Sequence, residues 1–100
     1  MDRIAIISDI HGNIPALLAV LHDIELRKIS KIFCLGDLVG KGPSSDIAVD
    51  LVQKTCERVI KGNWEEFITK PSDSHTVIWH QNKLGKQRLD YLSQLPFSIE

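Results

Sequence analysis

Apolar residues fall along the chain in short blocks with two alternating spacings. Ile4-Ala5-Ile6-Ile7 is a continuous apolar run, the pattern of a strand buried on both faces of a parallel sheet. After the polar stretch from Ser8 to Asn13, apolar residues recur at Ile14, Leu17, Leu18, Leu21 and Ile24. That spacing predicts a helix with one face on the sheet and Asp23, Arg27 and Lys28 turned to water. Asn13 suits the N-cap, and Pro15 is tolerated in a first turn that has no partner for its missing N–H. The unit then repeats. Lys31-Ile32-Phe33-Cys34-Leu35 reads as a second strand ended by Gly36-Asp37, and a Gly/Pro/Ser loop from Gly40 to Ser45 follows. The next helix has Ile47, Ala48, Leu51 and Val52 on one face, with Ser44 or Ser45 as its cap. Glu57-Arg58-Val59-Ile60-Lys61 reads as a third strand, stopped by Gly62-Asn63. Strands alternating with amphipathic helices imply right-handed crossovers and a parallel sheet, hence the α/β class.

The pattern thins from Pro71 to Gln81. Pro71-Ser72-Asp73-Ser74 is a turn cluster, and Thr76-Val77-Ile78-Trp79 reads as extended chain or packed loop. Leu84, Leu89, Leu92 and Leu95 place a last helix that stops before Pro96.

Composition narrows the class further. The 100 residues are 43% apolar and 25% charged, which fits one globular domain over 1–100 and not a disordered chain. Twelve basic against thirteen acidic residues leave a net charge of −1, so no basic field exists for general nucleic-acid binding. No apolar run reaches the roughly 20 residues of a membrane span, and the start lacks the layout of a signal peptide. Cys34 and Cys56 lie in apolar segments at no metal-like spacing, an expectation of reduced thiols and a cytoplasmic location.

Candidate chemistry collects where ligands bind in parallel sheets, outside the carboxyl ends of the strands. The first strand delivers Asp9 and His11, the second Asp37, the third Asn63. Gly36 and Gly62 directly precede Asp37 and Asn63, and glycine lets the backbone come close to a shared site. Two carboxylates, an imidazole and an amide oxygen suit Mn, Fe or Zn better than a thiolate-seeking metal. Each position alone has an ordinary reading. Asn63 can cap a helix with Glu66 as its capping-box partner, Asp37 can be a turn residue, and Asp9 or His11 a polar loop residue. Their joint placement at one end of three successive strands is what turns cannot explain.

Three blocks then carry a family likeness: Asp9-Ile10-His11-Gly12-Asn13, Gly36-Asp37-Leu38-Val39-Gly40 with Gly42-Pro43, and Gly62-Asn63-Trp64-Glu65. In order and spacing they resemble the first signature blocks of the calcineurin-like metallophosphoesterases, in the bacterial and archaeal small phosphoesterase branch. The segment Tyr91-Leu92-Ser93-Gln94-Leu95-Pro96 is similar to one that branch also carries. The resemblance implies the parallel βαβαβ half of an α/β/β/α sandwich. It implies two divalent metal ions (Mn, Fe, Zn, Mg or Ni), with Asp9 and His11 on the first, Asp37 bridging, and Asn63 on the second. The reaction implied is phosphoester hydrolysis by a hydroxide activated between the metals, with Asp37 and Asn63 catalytic and Gly12, Asn13 and Trp64 at the substrate. The substrate implied is a phosphorylated small molecule or nucleotide.

Two departures qualify the likeness. Trp64 stands where the family's third block usually has histidine, and indole has no proton that titrates near neutral pH. His75 and His80 are then the nearby candidates for supplying a proton. The family's later Gly-His-x-His block is also absent up to Glu100, so the expectation is the N-terminal part of a longer protein, weak or inactive alone. That part would expose an apolar sheet face open to self-association. The alternative function is a non-catalytic binding or regulatory module on the same fold. A dinucleotide-binding reading from Gly40-Lys41-Gly42 fails, because the stretch does not join strand to helix directly and lacks a third glycine.

Overall fold

The computed structural model describes residues 3–98. The elements run β1 (Ile4–Ile7), α1 (Ile14–Leu26), β2 (Lys31–Cys34), α2 (Ser45–Thr55), β3 (Arg58–Val59), α3 (Asn63–Ile68) and α4 (His75–Ser93). The three strands form one parallel sheet in the order β1-β2-β3, as the alternating pattern predicts. No helix among the described residues is long and apolar enough to cross a membrane.

Register explains which face is buried. Ile7 pairs with Cys34 and Cys34 with Val59, and all three side chains belong to the core or pack against it. Against this row lie Leu17 of α1, Ala48, Val49 and Val52 of α2, Ile68 of α3, and Leu84 and Leu92 of α4. The neighbouring row, Ile6 with Phe33 and Arg58, points the other way. There Ile4 is 46% and Ile6 64% exposed. The expectation that β1 is buried on both faces therefore does not hold among the described residues, because the helices cover one side only. An apolar sheet face is open, as the family likeness implies. Burial also pushes the thiol of the fully buried Cys34 up to about 12, so it stays protonated and packs as a small hydrophobe.

Local chemistry sets the helix ends. Asn13 caps α1, its side-chain oxygen accepting from the Ala16 N–H at 3.2 Å. The end of α1 winds into a Schellman turn, with Lys28 at φ 58° and the Ile29 N–H donating to the Ile24 carbonyl. Ser44 occupies the N-cap of α2 without a side-chain hydrogen bond. Ser45 is instead buried and accepts from the Gly40 N–H at 3.1 Å. Two buried faces are narrower than their apolar spacing predicts. In α1 Leu18 is exposed, and in α2 Val49 is buried while Ile47 faces water. The larger difference is at α4, where the helix begins at His75 and not near Leu84. Ser74 caps it, accepting from Val77, and Val77, His80 and Leu84 share its packed face. Gly85, at φ 79° and ψ 168°, breaks the helix into two arms.

Arg88 of α4 holds Asp50 of α2 with two hydrogen bonds, of 2.9 and 2.8 Å. The guanidinium keeps the Asp50 carboxyl below its usual range. A lowered folded-state pKa contributes stability above the ordinary carboxylate range, and that contribution is lost as pH falls through the folded value. The pair is solvent-exposed, so it is worth about 0.2–1 kcal/mol at most. In urea melts, Asp50→Asn is expected to cost that amount at pH 7, and the difference from the unsubstituted protein is expected to shrink as the pH falls through and below the ordinary carboxylate range.

Candidate metal centre

The loops leaving β1 and β2 are zipped together by the main chain. Past the strand ends, the Asp9 N–H donates to the Gly36 carbonyl at 3.2 Å, His11 to Asp37 at 3.0 Å, and Gly12 to Leu38 at 2.9 Å. Gly42 closes back onto the His11 carbonyl at 2.7 Å. Within this ladder Asp9, His11 and Asp37 adopt φ values of 56°, 49° and 57°. Non-glycine residues enter the left-handed region at a cost of order 1–3 kcal/mol each when the structure holds them there. Of the other such residues, Lys28 belongs to the end of α1 and Lys41 to the loop over His11. Strain thus gathers on the three residues singled out as ligands from the sequence.

The strained turns bring three side chains together. One ligand atom each from Asp9, His11 and Asp37 lies within 4.8 Å of the others. His11 Nδ1 lies 3.0 Å from the Val39 carbonyl. A carbonyl only accepts, so Nδ1 carries the hydrogen, and in the neutral ring Nε2 keeps its lone pair. Nε2 faces Asp9 Oδ1 at 3.5 Å. Two acceptors turned toward one another at this distance are relieved by a cation between them, and a backbone-anchored imidazole is the usual way to aim a metal-binding nitrogen. The donor chemistry and placement therefore fit a borderline or hard divalent ion.

The third loop approaches Asp37 through glycine. A side chain at Gly36 would strike the Gly62 backbone, and one at Gly62 would meet Asp37 Oδ1 at 2.6 Å. The Trp64 N–H donates to Asp37 Oδ1 at 3.1 Å. Asn63 lies between two residues that touch the Asp37 carboxylate, and its side chain is exposed at that edge. It is the first residue of α3 and not the cap, a position held by Gly62.

That shift by one residue uncovers Glu65, which the sequence reading passed over in favour of Glu66. With Gly62 at the cap, Glu65 is the third helical residue and its Oε1 accepts from the Gly62 N–H at 2.9 Å. The same oxygen accepts from Asp37 at 2.6 Å, and Oε2 from Leu38 at 2.9 Å and Val39 at 3.4 Å. Glu65 is fully buried. Burial pushes its carboxyl above the usual range, opposed by these four backbone bonds. Glu66 points to solvent and pairs with Lys70 at 2.8 Å.

Comparison with known proteins agrees with this geometry. The profile of the "Calcineurin-like phosphoesterase" family matches residues 2–99. The chain belongs to the calcineurin-like phosphoesterases. It is 38% identical to an uncharacterized protein of Methanocaldococcus jannaschii, over 99% of this chain and 44% of that protein. A metallophosphoesterase from Sphaerobacter thermophilus superposes with a TM-score of 0.85 at 33% identity, over 97% of this chain and 42% of the other. A "putative diadenosine tetraphosphatase" superposes with a TM-score of 0.80 at 28% identity, over 95% and 43%. The chain thus spans less than half the length of each of these relatives.

The remaining candidates in this phosphoesterase fold have defined places. Gly12 is buried against Ser45, and the Asn13 amide oxygen is engaged in capping α1. Trp64 is half-buried, lies against Gly40, and meets His11 edge-on with ring centroids 6.4 Å apart. His75 is exposed at the start of α4. His80 is buried and packs edge-on against Trp64 at 6.3 Å, so Trp64 stands between it and His11. Removing the Glu65 carboxylate orphans donors in the loops that follow both β2 and β3. Glu65→Ala is expected to lower stability by about 3 kcal/mol, since each unsatisfied buried donor costs ~1–3 kcal/mol. Chemical denaturation measures this, and a loss under about 1 kcal/mol refutes the role.

Proposed function

We propose that this chain carries part of the catalytic centre of a metal-dependent phosphoesterase acting on a phosphorylated small molecule or nucleotide. The carrying observation is the meeting of Asp9, His11 and Asp37 within 4.8 Å in a chain of this family. In this reading His11 offers Nε2 and Asp9 a carboxylate oxygen to one ion. Asp37, with two carboxylate oxygens, would help to hold that ion and a second one, for which Asn63 would be a further ligand. Divalent cations held there supply positive charge to the phosphoryl oxygens and lower the pKa of a water toward neutrality.

The chain's own groups do the rest. Val39 fixes the His11 tautomer, and the Trp64 N–H holds Asp37 Oδ1 in place. The Gly12-Asn13 turn and the Trp64 ring border the approach for phosphate. Trp64 offers no titratable proton, and His80 lies behind it, so the site favours leaving groups that depart without protonation. The same tryptophan supports a second reading, a non-catalytic module that binds metal and phosphate without turnover.

Titration with Mn²⁺ and an assay with p-nitrophenyl phosphate test both. Asp37→Ala is expected to weaken Mn²⁺ binding by more than about 10-fold and to remove hydrolysis, as loss of even supporting groups costs 10–100-fold. Equal metal binding and activity in the variant sinks the proposal. Metal binding lost in the variant, with no hydrolysis by the longest natural form of the protein, selects the module.

A further inference from the structure

A line of aromatic rings leads away from the candidate metal centre. His11 meets Trp64 at 6.4 Å, Trp64 meets His80 at 6.3 Å, and His80 meets Trp79 at 4.8 Å, each edge-on. The line begins at the His11 imidazole and ends at a tryptophan that is 50% exposed. Beside His80, Trp79 has a cation near its ring. Lys83 Nζ lies 5.3 Å from its ring centroid and donates to the Pro43 carbonyl at 2.7 Å. Pro43 belongs to the loop that closes on His11 through Gly42, so Lys83 ties the exposed ring to the edge of the centre.

The surroundings limit what the ring is for. Its helical neighbours one turn away, His75, Thr76, Asn82 and Lys83, are all exposed and polar. Ile78 beside it is 37% exposed, and a protein partner prefers a larger contiguous apolar patch. A planar ring beside a cation, linked by ring contacts to the candidate metal centre, suits one planar ligand group joined to a polyanion. From this geometry we infer that Trp79 and Lys83 form the base-binding subsite of a nucleoside polyphosphate whose phosphates reach Asp9, His11 and Asp37. The base stacks on Trp79, and the Lys83 ammonium neutralises the chain of phosphates between base and metal centre. This inference rests on the phosphoesterase reading above and narrows it to nucleotide substrates.

Calorimetric titration with ADP and with pyrophosphate, in the presence of Mn²⁺, separates base from phosphate. Trp79→Ala is expected to weaken ADP roughly 10- to 100-fold, the range for loss of one aromatic–base stack, and to leave pyrophosphate within about twofold. Trp79→Phe, which keeps a stacking face, is expected to restore most of the ADP affinity and guards against a folding defect. Equal ADP affinity in the unsubstituted protein and Trp79→Ala overturns the subsite, as does equal loss for both ligands or no ADP binding at all. Asp37→Ala is expected to abolish pyrophosphate binding. If it does not, the metal-centre reading fails on its own, whatever Trp79 does to ADP.

Discussion

The buried Glu65 carboxylate is the point on which the arrangement of the site depends. It lies on a short helix, yet it accepts N–H groups from Asp37, Leu38 and Val39 of the second loop and from Gly62 of its own. Two loops that follow different strands are thereby held by one side chain. Asp37 sits in a left-handed turn, and such a turn needs its surroundings to over-determine it. Two carboxylate oxygens shared among four donors do so, at the expense of desolvating the acid.

From this clamp the consequences run outward. With Asp37 fixed, its main-chain carbonyl receives the His11 N–H. With Val39 fixed, its carbonyl receives the His11 ring. The loop after β1 is therefore built on the loop after β2, and that loop on Glu65. Glycines at 36 and 62 allow the close approach, since any Cβ there would collide with the opposing backbone or with Asp37. The helices contribute less directly, by filling one sheet face with residues such as Ala48, Val49 and Val52.

Much of this is legible from the amino-acid order, and the rest is hidden for physical reasons. The first two strands, the first two helices and the candidate ligands Asp9, His11 and Asp37 follow from periodicity and from polar residues at strand ends. Glu65 was hidden by a one-residue ambiguity. Asn63 is a good N-cap and Gly62 an ordinary turn residue, so counting from Asn63 picks Glu66. Only the main-chain geometry shows that the cap is Gly62. The first arm of α4 was hidden by composition: Thr76-Val77-Ile78-Trp79 is β-branched and aromatic, and favours extended chain in isolation. Capping by Ser74 and burial of His80 and Leu84 override that preference. The open face of β1 follows from the family likeness and not from the apolar run, because Ile4 and Ile6 read as buried whether or not anything covers them.

The contact between His11 Nδ1 and Val39 involves the main-chain oxygen and not the valine side chain. Any amino acid at position 39 presents the same oxygen as long as the loop keeps its course. The imidazole's orientation is thus written into the path of the backbone and shielded from point substitution at its partner. A histidine oriented by a neighbouring aspartate or glutamate can be lost in one codon change; this one goes only when the loop itself is rebuilt.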